Sequence, residues 1–509
     1  MKNLKVFIFQ QNWFHLGSLL EASINHGGNF KTVNFYYVEK NLYVKPLERH
    51  QDFLGSRMFN PPPESIIARY LTNFFTSSET MFSSKRVKLE RKSHLKSLFH
   101  GVESVSDLQK IQWEQTEIGL AISSFLISLT KDSDPILNQY NKLINNLELA
   151  YLQIFKYLDS LNLSSSEDEI WVCNGRPFHE RVVVEYARIK SIPIKFYEIG
   201  GDGSNQERWI LHENSPHNRL AHQDSIKQHF ELTTPNLISI NKWFQSQRPG
   251  GQNIFTKNFN SNIDNDSLDN FFVYFSSSDD EVSAISREWI SSWKTQLNAV
   301  NELMSFFVDR PDLKLVIRVH PNQKNKSEND KNKWKSLVSQ SRNVFIYDFD
   351  SNINSYELLS KAKGVFTYGS TIGVEASYLK KPAALLSNSR WDSIIPQEYL
   401  KNREDIESWI NKVNKEGMFD SSRLEECYLG SLMWGHYMQT AGNNWMFIKI
   451  KKDFRKVNVG YLGGKSLKPP FFVIGITRII RFLRLHVVEI QFDLSRFNRL
   501  HRGQWEGPL

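Results

Sequence analysis

From Phe271 to Leu386 the chain alternates short apolar runs with longer amphipathic segments, and this alternation limits the possible folds more than any other feature. Each apolar run has the length of a buried strand, and each intervening segment can form a helical crossover. Sequential parallel strands joined by helices make an open, doubly wound α/β sheet. The predicted strands lie at 271–275, 315–319, 344–347, 365–368 and 383–386, and the predicted helices at 279–307, 328–339, 355–362 and 372–379.

A second α/β pattern occupies the N-terminal half of the chain. Strands are predicted at 6–9 and 33–38 with a helix at 18–24 between them, and again at 169–173 and 194–197 with a helix at 179–189. A chain of 509 residues, 40% of them hydrophobic, has room for two domains with their own cores. The predicted division is an N-terminal domain at 1–250, a linker at 251–270, a C-terminal domain at 271–445 and a tail at 446–509.

Three segments depart from the α/β pattern. A helical insertion is predicted at about 64–160, because apolar residues recur there at three- and four-residue spacing. The basic run 84–96 within it is read as a solvated helix face, with a site for an anionic acceptor or lipid as the alternative. Polar residues dominate from 205 to 269, and the inter-domain linker is placed within this stretch.

The C-terminal segment 469–485 combines bulky apolar residues with Arg478, Arg481 and Arg484. As a helix it is amphipathic and basic, which predicts peripheral contact with an anionic inner membrane. A helix packed across the two domains explains the same pattern equally well.

Cysteine content and hydropathy place the chain in a reducing compartment. Cys173 and Cys427 cannot form a disulfide framework or a four-ligand zinc site, so both are expected to be buried thiols. The apolar run near the N-terminus is shorter than the roughly 7–15 residues of a signal peptide, and no run approaches the roughly 18 residues of a membrane span. A cytoplasmic protein is therefore expected, and its net charge of +8 favours anionic partners without selecting among them.

Polar residues follow two of the predicted C-terminal strands at the points where those strands end. His320-Pro321 closes the strand 315–319, and a proline stops further pairing at the rim of the sheet. Ligands of open α/β sheets bind outside the carboxyl ends of the strands. His320 can donate to a phosphate oxygen there, and Arg318 can add charge if it faces the same way.

The second strand end is Tyr368-Gly-Ser-Thr-Ile-Gly373. Its glycines allow close backbone approach, and Ser370 and Thr371 supply hydroxyl groups at a helix start. Glu375 lies in the first helical turn, where it either complements the helix dipole or accepts hydrogen bonds from ribose hydroxyls. No Gly-x-Gly-x-x-Gly fingerprint and no P-loop lysine follows any predicted strand, which argues against dehydrogenase and P-loop kinase functions.

Together these motifs resemble a known family. A strand ending in His-Pro, followed about fifty residues later by Ser-x-x-Gly-x-Glu-Ala, is similar to capsule polysaccharide biosynthesis glycosyltransferases of the GT-B fold. Bacterial Kdo- and sialic-acid-transferring enzymes share the His-Pro motif. Further likeness lies in 275–281 and 355–358, and in Asn174-Gly-Arg176 followed by Glu198-x-Gly200, so that it covers about residues 170–390.

The resemblance implies two Rossmann-like domains that face each other across a cleft, with the nucleotide on the C-terminal domain. It implies a nucleotide-sugar substrate, CMP- or UDP-activated, with no cofactor and no metal, because basic side chains and helix N-termini can stabilise the departing phosphate. The residues expected to bind this donor are Arg318, His320, Ser276, Ser277, Tyr368, Ser370, Thr371, Gly373 and Glu375.

A transferase also needs a group that deprotonates the acceptor hydroxyl or stabilises an oxocarbenium-like state. Glu198 and Asp202 follow a strand in a glycine-rich loop, and Glu198 ranks first as the catalytic carboxylate with Asp202 second. Arg176 and Glu180 are candidates for binding the acceptor. Two structural alternatives stay open: Glu198 as an ion-pair partner of Arg176, and Glu180 as a helix-start acid.

The sequence therefore predicts a glycosyltransferase that acts on a surface polysaccharide or a lipid-linked glycan, with no nucleic-acid partner. A nucleotide-sugar 2-epimerase or a polyol-phosphate transferase of the same fold is the alternative among enzymes. A non-catalytic polysaccharide-binding or assembly factor is the alternative from another class.

Overall fold

The computed structural model describes two α/β units and the elements that join them. The residues it describes are 1–9, 13–38, 80–87, 97–200, 208–248, 269–278, 280, 283, 285, 289, 291–338, 341–415, 419–452, 458–462 and 465–466.

Sixteen strands are described, and they form three sheets. Their bounds are β1 Asn3–Ile8, β2 Thr32–Val38, β3 Met81–Val87, β4 Asp168–Cys173, β5 Ile194–Ile199, β6 Arg208–His212, β7 Phe271–Phe275, β8 Lys314–Arg318, β9 Val344–Tyr347, β10 Gly364–Thr367, β11 Ala383–Leu385, β12 Glu398–Tyr399, β13 Asn443–Asn444, β14 Ile448–Lys452, β15 Asn458–Leu462 and β16 Lys465–Ser466.

Helices cover the faces of the two larger sheets. Their bounds are α1 Trp13–His26, α2 Val105–Lys110, α3 Ile118–Thr130, α4 Asn141–Asp159, α5 Phe178–Ile189, α6 Arg219–Leu232, α7 Leu237–Gln247, α8 Gln296–Val308, α9 Glu328–Lys335, α10 Ser355–Lys361, α11 Ile372–Tyr378, α12 Arg403–Asn414 and α13 Ser421–Thr440. None of the helices described is both long enough and apolar enough to cross a membrane.

The C-terminal sheet has the strand order β12-β11-β10-β7-β8-β9, and all of its pairings are parallel. Counted from β7, this is the order 3-2-1-4-5-6 of doubly wound nucleotide-binding sheets. Successive strands step outward from β7 to β9, and the chain then returns to β10 on the other side of β7. The gap between the ends of β7 and β10 is therefore the switch point at which such sheets bind ligands.

The N-terminal sheet has the order β13-β6-β5-β4-β1-β2-β3. Its first five strands in the chain pair in parallel with the order 3-2-1-4-5, and β6 and β13 are antiparallel additions. Because β13 follows α13, the end of the C-terminal unit returns to complete the N-terminal sheet. The fold-class prediction of two Rossmann-like units is confirmed. The tail 467–509, with its predicted amphipathic helix, lies outside the described residues.

One prediction about the less regular segments is wrong. The first part of the basic run 84–96 belongs to edge strand β3, which pairs in parallel with β2. Within this strand Ser83 and Lys85 are exposed and Val87, at its end, is buried, so an edge strand with polar side chains in solvent carries the basic pattern that suggested a solvated helix face. Residues 88–96 lie outside the described part of the chain.

The polar stretch 205–269 contains β6, α6 and α7 in its described portion. Few apolar residues are needed to fix these helices. Ile226, Ile240 and Phe244 are each at most 1% exposed and pack in one cluster with residues of α11 and α13. The predicted linker 251–270 falls almost entirely outside the described residues.

A polar clasp joins the two units at the loop after α3 and the start of α9. Asp132 accepts hydrogen bonds from Ser327 Oγ at 2.9 Å and from Asn329 Nδ2 at 3.1 Å. Ser133 donates through its backbone N–H and its hydroxyl to the carboxylate of Asp330, at 3.2 and 3.0 Å. Asp132 and Asp330 are both nearly buried, so their acceptor atoms depend on these partners.

We expect Asp132→Asn to lower the free energy of unfolding by about 1–3 kcal/mol, because an amide nitrogen would face donors that now meet a carboxylate. Thermal denaturation measures this loss. Asp134→Asn, two residues away at an exposed position, is the matched control and should behave like the parent protein. Equal melting temperatures for both variants would show that the clasp does not stabilise the fold.

Candidate active site

Three strand-end loops of the C-terminal sheet meet at the switch point. Ser276, after β7, accepts a hydrogen bond from the backbone N–H of His320, after β8, at 2.7 Å. The hydroxyl of Ser277 donates to the carbonyl oxygen of Tyr368, after β10, at 2.8 Å. The Tyr368 hydroxyl lies 2.6 Å from Ser291 Oγ. The sequence prediction of one shared edge is thus supported, but the side chains of Ser276, Ser277 and Tyr368 hold the loops together.

His320 occupies the N-cap of a 3-10 turn at Pro321–Asn325, and its Nδ1 accepts the backbone N–H of Asn322 at 3.1 Å. Burial, together with the positive charges of Lys326 and Arg318, lowers the pKa of His320 to about 4. The ring is therefore neutral at physiological pH. Since Nδ1 is an acceptor, the proton lies on Nε2, and the cap fixes His320 as a hydrogen-bond donor through that atom.

The predicted phosphate contact of Arg318 is not what the structure shows. This side chain is 1% exposed. Its guanidinium donates to the carbonyl oxygens of Asp348 at 2.7 Å, Val319 at 3.1 Å and Ser351 at 3.2 Å. Arg318 therefore fastens the loop after β9 to the end of β8. Strand alternation could not reveal this, because two of the three carbonyl groups that Arg318 satisfies come from the loop after β9.

The loop after β10 keeps its polar groups accessible at the start of α11. Ser370 is half-buried and Thr371 is exposed, and the Thr371 side chain makes no capping hydrogen bond. Gly369 has φ +82°, which a side chain would strain. Gly373 packs closely, since a Cβ there would lie 3.2 Å from Thr367 Oγ1. Ser370 and Thr371 thus remain the hydroxyl groups of this edge that face away from the core.

Glu375 lies one turn further along α11, against Tyr356 of α10. The Tyr356 hydroxyl is 3.1 Å from Glu375 Oε1 and 2.9 Å from the carbonyl oxygen of Gln247. Burial raises the pKa of Glu375 to about 7, although the Tyr356 hydrogen bond and the charge of Arg248 oppose the rise. The single hydroxyl proton of Tyr356 cannot serve both oxygens at once. If Glu375 is protonated, its carboxyl group donates to the Tyr356 oxygen, and the Tyr356 hydroxyl donates to the carbonyl oxygen of Gln247.

The raised pKa of Glu375 gives a stability prediction with a defined sign. The folded state holds this proton more tightly than the unfolded state, so ionisation destabilises the fold as the pH rises from about 4.5 to about 7. We expect Glu375→Gln to raise the melting temperature at pH 8 and to change it little at pH 4.5. Glu407→Gln, at an exposed position of α12, is the control. A Glu375→Gln protein that melts lower than the parent at pH 8 would contradict the assignment.

On the N-terminal sheet, the ends of β4 and β5 converge on His15 of α1. His15 Nδ1 lies 3.2 Å from Glu198 Oε1 and 3.4 Å from Cys173 Sγ. Burial works to lower the pKa of His15, but the charge and hydrogen bond of Glu198, with the charge of Glu180, outweigh it and raise that pKa. Burial conversely raises the pKa of Glu198, yet His15, Asn174 and the Ile199 N–H bring it down to about 2. At neutral pH Glu198 is a carboxylate that holds His15.

A hydrogen-bonded chain leads from Glu198 to the C-terminal unit. Asn174 Nδ2 donates to Glu198 Oε2 at 2.5 Å, and Asn174 Oδ1 lies 2.8 Å from His217 Nε2. Arg390 donates to His217 Nδ1 at 3.2 Å, so the His217 proton lies on Nε2 and is donated to Asn174. Burial and the charges of Arg390 and Arg176 lower the pKa of His217 well below its ordinary value, which keeps this ring neutral.

The remaining predicted residues of the N-terminal side have different outcomes. Arg176 is half-buried next to Asn174, and its charge acts on His217, so it lies at the inter-unit surface. Glu180 is 1% exposed and acts electrostatically on His15 and Cys173, which places it beneath the surface that an acceptor would touch. Asp202 lies outside the described residues.

Sequence reasoning overlooked His15, His217 and Arg390. His15 lies in the first turn of α1, the helix that follows the first strand, and a residue soon after a strand end is the kind that drew attention to His320. That signal was available. His217 and Arg390 lie in loops of polar residues, and only the folded arrangement of the two units brings them together.

The comparison with family models bears on the C-terminal side of this site. Residues 278–393 match the family described as capsule polysaccharide biosynthesis protein. The match covers this part of the chain and no other. The capsule polysaccharide biosynthesis segment contains β8 to β11, and therefore His320, Ser370, Thr371 and Glu375. The match supports the family resemblance seen in the sequence over this segment.

Solved structures similar to the whole chain are distant. A UDP-GlcNAc 2-epimerase from Methanocaldococcus jannaschii, in complex with UDP-GlcNAc and UDP, is 12% identical over 83% of this chain and 97% of that chain, with a TM-score of 0.28. KpsC from Thermosulfurimonas dismutans, a β-Kdo 2,7-transferase, is 12% identical over 65% of this chain and 89% of that chain, with a TM-score of 0.31. A comparison with curated proteins gave no match. The fold assignment rests on the two sheets, since similarity at this level carries no argument.

Proposed function

We propose that the protein is a glycosyltransferase that moves a sugar from a nucleotide-activated donor to a growing capsular polysaccharide or a lipid-linked glycan. One observation carries the proposal. The segment that matches the capsule polysaccharide biosynthesis family forms the switch-point side of a doubly wound sheet, where its polar residues meet at the strand ends. In the second unit, a separate group of titratable residues lies at the ends of β4 and β5.

The donor half of the proposed site consists of groups that suit a phosphate and a ribose. His320 offers an Nε2–H donor whose orientation is fixed by its cap. Ser370 and Thr371 add hydroxyl groups on the adjacent loop, and Glu375 lies one turn beyond them for the ribose hydroxyls. Preorganised donors of this kind stabilise the negative charge that develops on a leaving phosphate, so the proposed reaction does not require a metal ion.

The acceptor half of the proposed site depends on His15. Glu198, with a pKa near 2, is a poor proton acceptor at neutral pH. His15 is the better general base, with Glu198 as the positioning residue that holds the proton on Nδ1 and leaves Nε2 for the acceptor hydroxyl. Arg176, half-buried beside this group, suits an anionic acceptor. A cytoplasmic location and peripheral membrane contact stay predictions.

Incubation of the purified protein with CMP- and UDP-activated sugars tests the proposal. We expect release of the nucleotide that depends on an added glycan acceptor, with the sugar appearing in the product. Conversion of a donor without any acceptor would instead identify an epimerase. Saturable glycan binding with no binding of any nucleotide-activated sugar would identify a non-catalytic assembly factor and contradict the proposal.

A further inference from the structure

His15, Cys173 and Glu198 direct three different ligand atoms at one point of the N-terminal sheet. Nδ1, Sγ and a carboxylate oxygen of these residues all lie within 4.8 Å of one another. They come from α1, from the last residue of β4 and from β5, so three separate elements build the group. The described part of the chain has one such group.

We propose that this group binds a zinc ion, and that zinc bound here inhibits the transfer reaction. Zinc takes imidazole nitrogen, thiolate sulfur and carboxylate oxygen together, at about 2.0–2.3 Å, in tetrahedral geometry. Bonds of that length at tetrahedral angles place ligand atoms roughly 3.3–3.6 Å apart. The observed separations from His15 Nδ1, 3.2 Å to Glu198 Oε1 and 3.4 Å to Cys173 Sγ, match these distances, and Sγ lies within 4.8 Å of the carboxylate oxygen.

The surroundings also fit a metal with water as its fourth ligand. Glu198 and His15 have side chains that are 16% and 11% exposed, which leaves an approach from solvent, whereas Cys173 is buried beneath them. The second carboxylate oxygen of Glu198 accepts from Asn174, an outer contact of the kind that orients metal ligands. Three protein ligands and one water is the arrangement of open zinc sites.

Protons leave as the ion binds, and no oxidant is required. The Cys173 thiol loses its proton to solvent as the sulfur–zinc bond forms. Zinc takes the place of the proton on His15 Nδ1. If His15 is neutral, its proton moves to Nε2; if it is an imidazolium, the Nδ1 proton is released to solvent and the Nε2 proton stays. A metal-bound imidazole with Nε2 protonated cannot accept another proton. This inhibition rests on the proposed role of His15 as the base, whereas zinc binding does not.

Cobalt titration of the full-length, chelator-treated protein tests the binding site directly. Cobalt bound to a thiolate gives a charge-transfer absorption in the near ultraviolet. We expect one cobalt ion per chain with this band in the parent protein and in Cys427→Ser, which removes the other buried cysteine. Cys173→Ser should lack the band and bind zinc at least roughly a hundredfold more weakly, since loss of an outer contact alone costs 10–100-fold. Absence of the band from the parent protein would overturn the site, whether or not Cys173→Ser folds.

Transfer assays with and without zinc test the inhibition separately. We expect zinc to inhibit the parent protein and Cys427→Ser, a chelator to restore activity, and Cys173→Ser to resist inhibition at the same zinc concentrations. Equal inhibition of parent and Cys173→Ser would overturn the inhibitory role. If neither the parent protein nor the two variants transfer sugar under any condition, the proposed function fails. The cobalt absorption band still decides whether the metal site exists.

Discussion

His320→Asn should lower kcat/KM for sugar transfer by about 10²–10³-fold, the usual loss when one preorganised donor to developing negative charge is removed. Asparagine can keep the N-cap, because its side-chain oxygen accepts the Asn322 N–H that now binds Nδ1. It is too short to place a donor where Nε2 lies. The fold should therefore survive with an unchanged melting temperature, and the loss should appear in steady-state kinetics.

Two companion substitutions separate the cap from the donor. His320→Ala removes both, so it should abolish transfer and also cost about 0.5–2 kcal/mol of stability through the missing cap. His320→Gln extends an amide nitrogen towards the position of Nε2 and should recover part of the activity. Near-normal turnover in His320→Ala would remove His320 from the donor site, and with it the assignment of the pocket.

Glu198→Gln should lower kcat by about 10²–10⁴-fold, the typical contribution of general base catalysis. The charge of Glu198 is one cause of the raised pKa of His15, so the variant should also move the acid limb of the pH–rate profile to lower pH. A merely structural role for Glu198 would reduce activity without moving that limb. Profiles measured in the presence of a chelator, for Glu198→Gln and for the parent protein, decide between the two.

The same ion pair shapes stability as a function of pH. The lowered pKa of Glu198 stabilises the fold above about pH 4.5, and this contribution is lost as the pH falls towards about 2. The raised pKa of His15 stabilises the fold below about pH 6.5, and its contribution is lost as the pH rises through the folded-state value. The pair is therefore most favourable between these limits, where Glu198→Gln should show its largest loss of melting temperature. A loss that does not vary with pH would argue against the ion pair.

Much of the C-terminal unit could be predicted from sequence because its strands are buried on both faces. Runs such as Phe271–Phe275 and Lys314–Arg318 have apolar centres that stand out between polar loops. Parallel strands joined by helices are almost always connected with right-handed crossovers, which restricts the topology further. Edge strands lack that signal. β3 has Ser83 and Lys85 exposed to solvent, and a polar and basic pattern of this kind is also typical of a solvated helix face.

The sequence predicts where the candidate site lies in the fold, but not which contacts its residues make. The rule that ligands bind at strand ends identified His320 and the loop 368–373, and the structure brings these together. Tertiary contacts determine which side chains at this edge already have hydrogen-bond partners within the protein. Arg318, for example, donates to three backbone carbonyl oxygens. For the same reason the pairing of His15 with Glu198, which lie far apart in the chain, is visible only in the structure.

Calorimetric titration with CMP, UDP and the corresponding diphosphates tests most directly whether the switch point of the C-terminal sheet is the donor site. The account predicts saturable binding of at least one nucleotide by the parent protein, and binding at least about tenfold weaker by His320→Asn, a loss of about 1.4 kcal/mol. Glu407→Gln, at an exposed position on α12, should bind as tightly as the parent. Equal affinity of the parent and His320→Asn for that nucleotide, or no binding of any of them by the parent, would contradict the account.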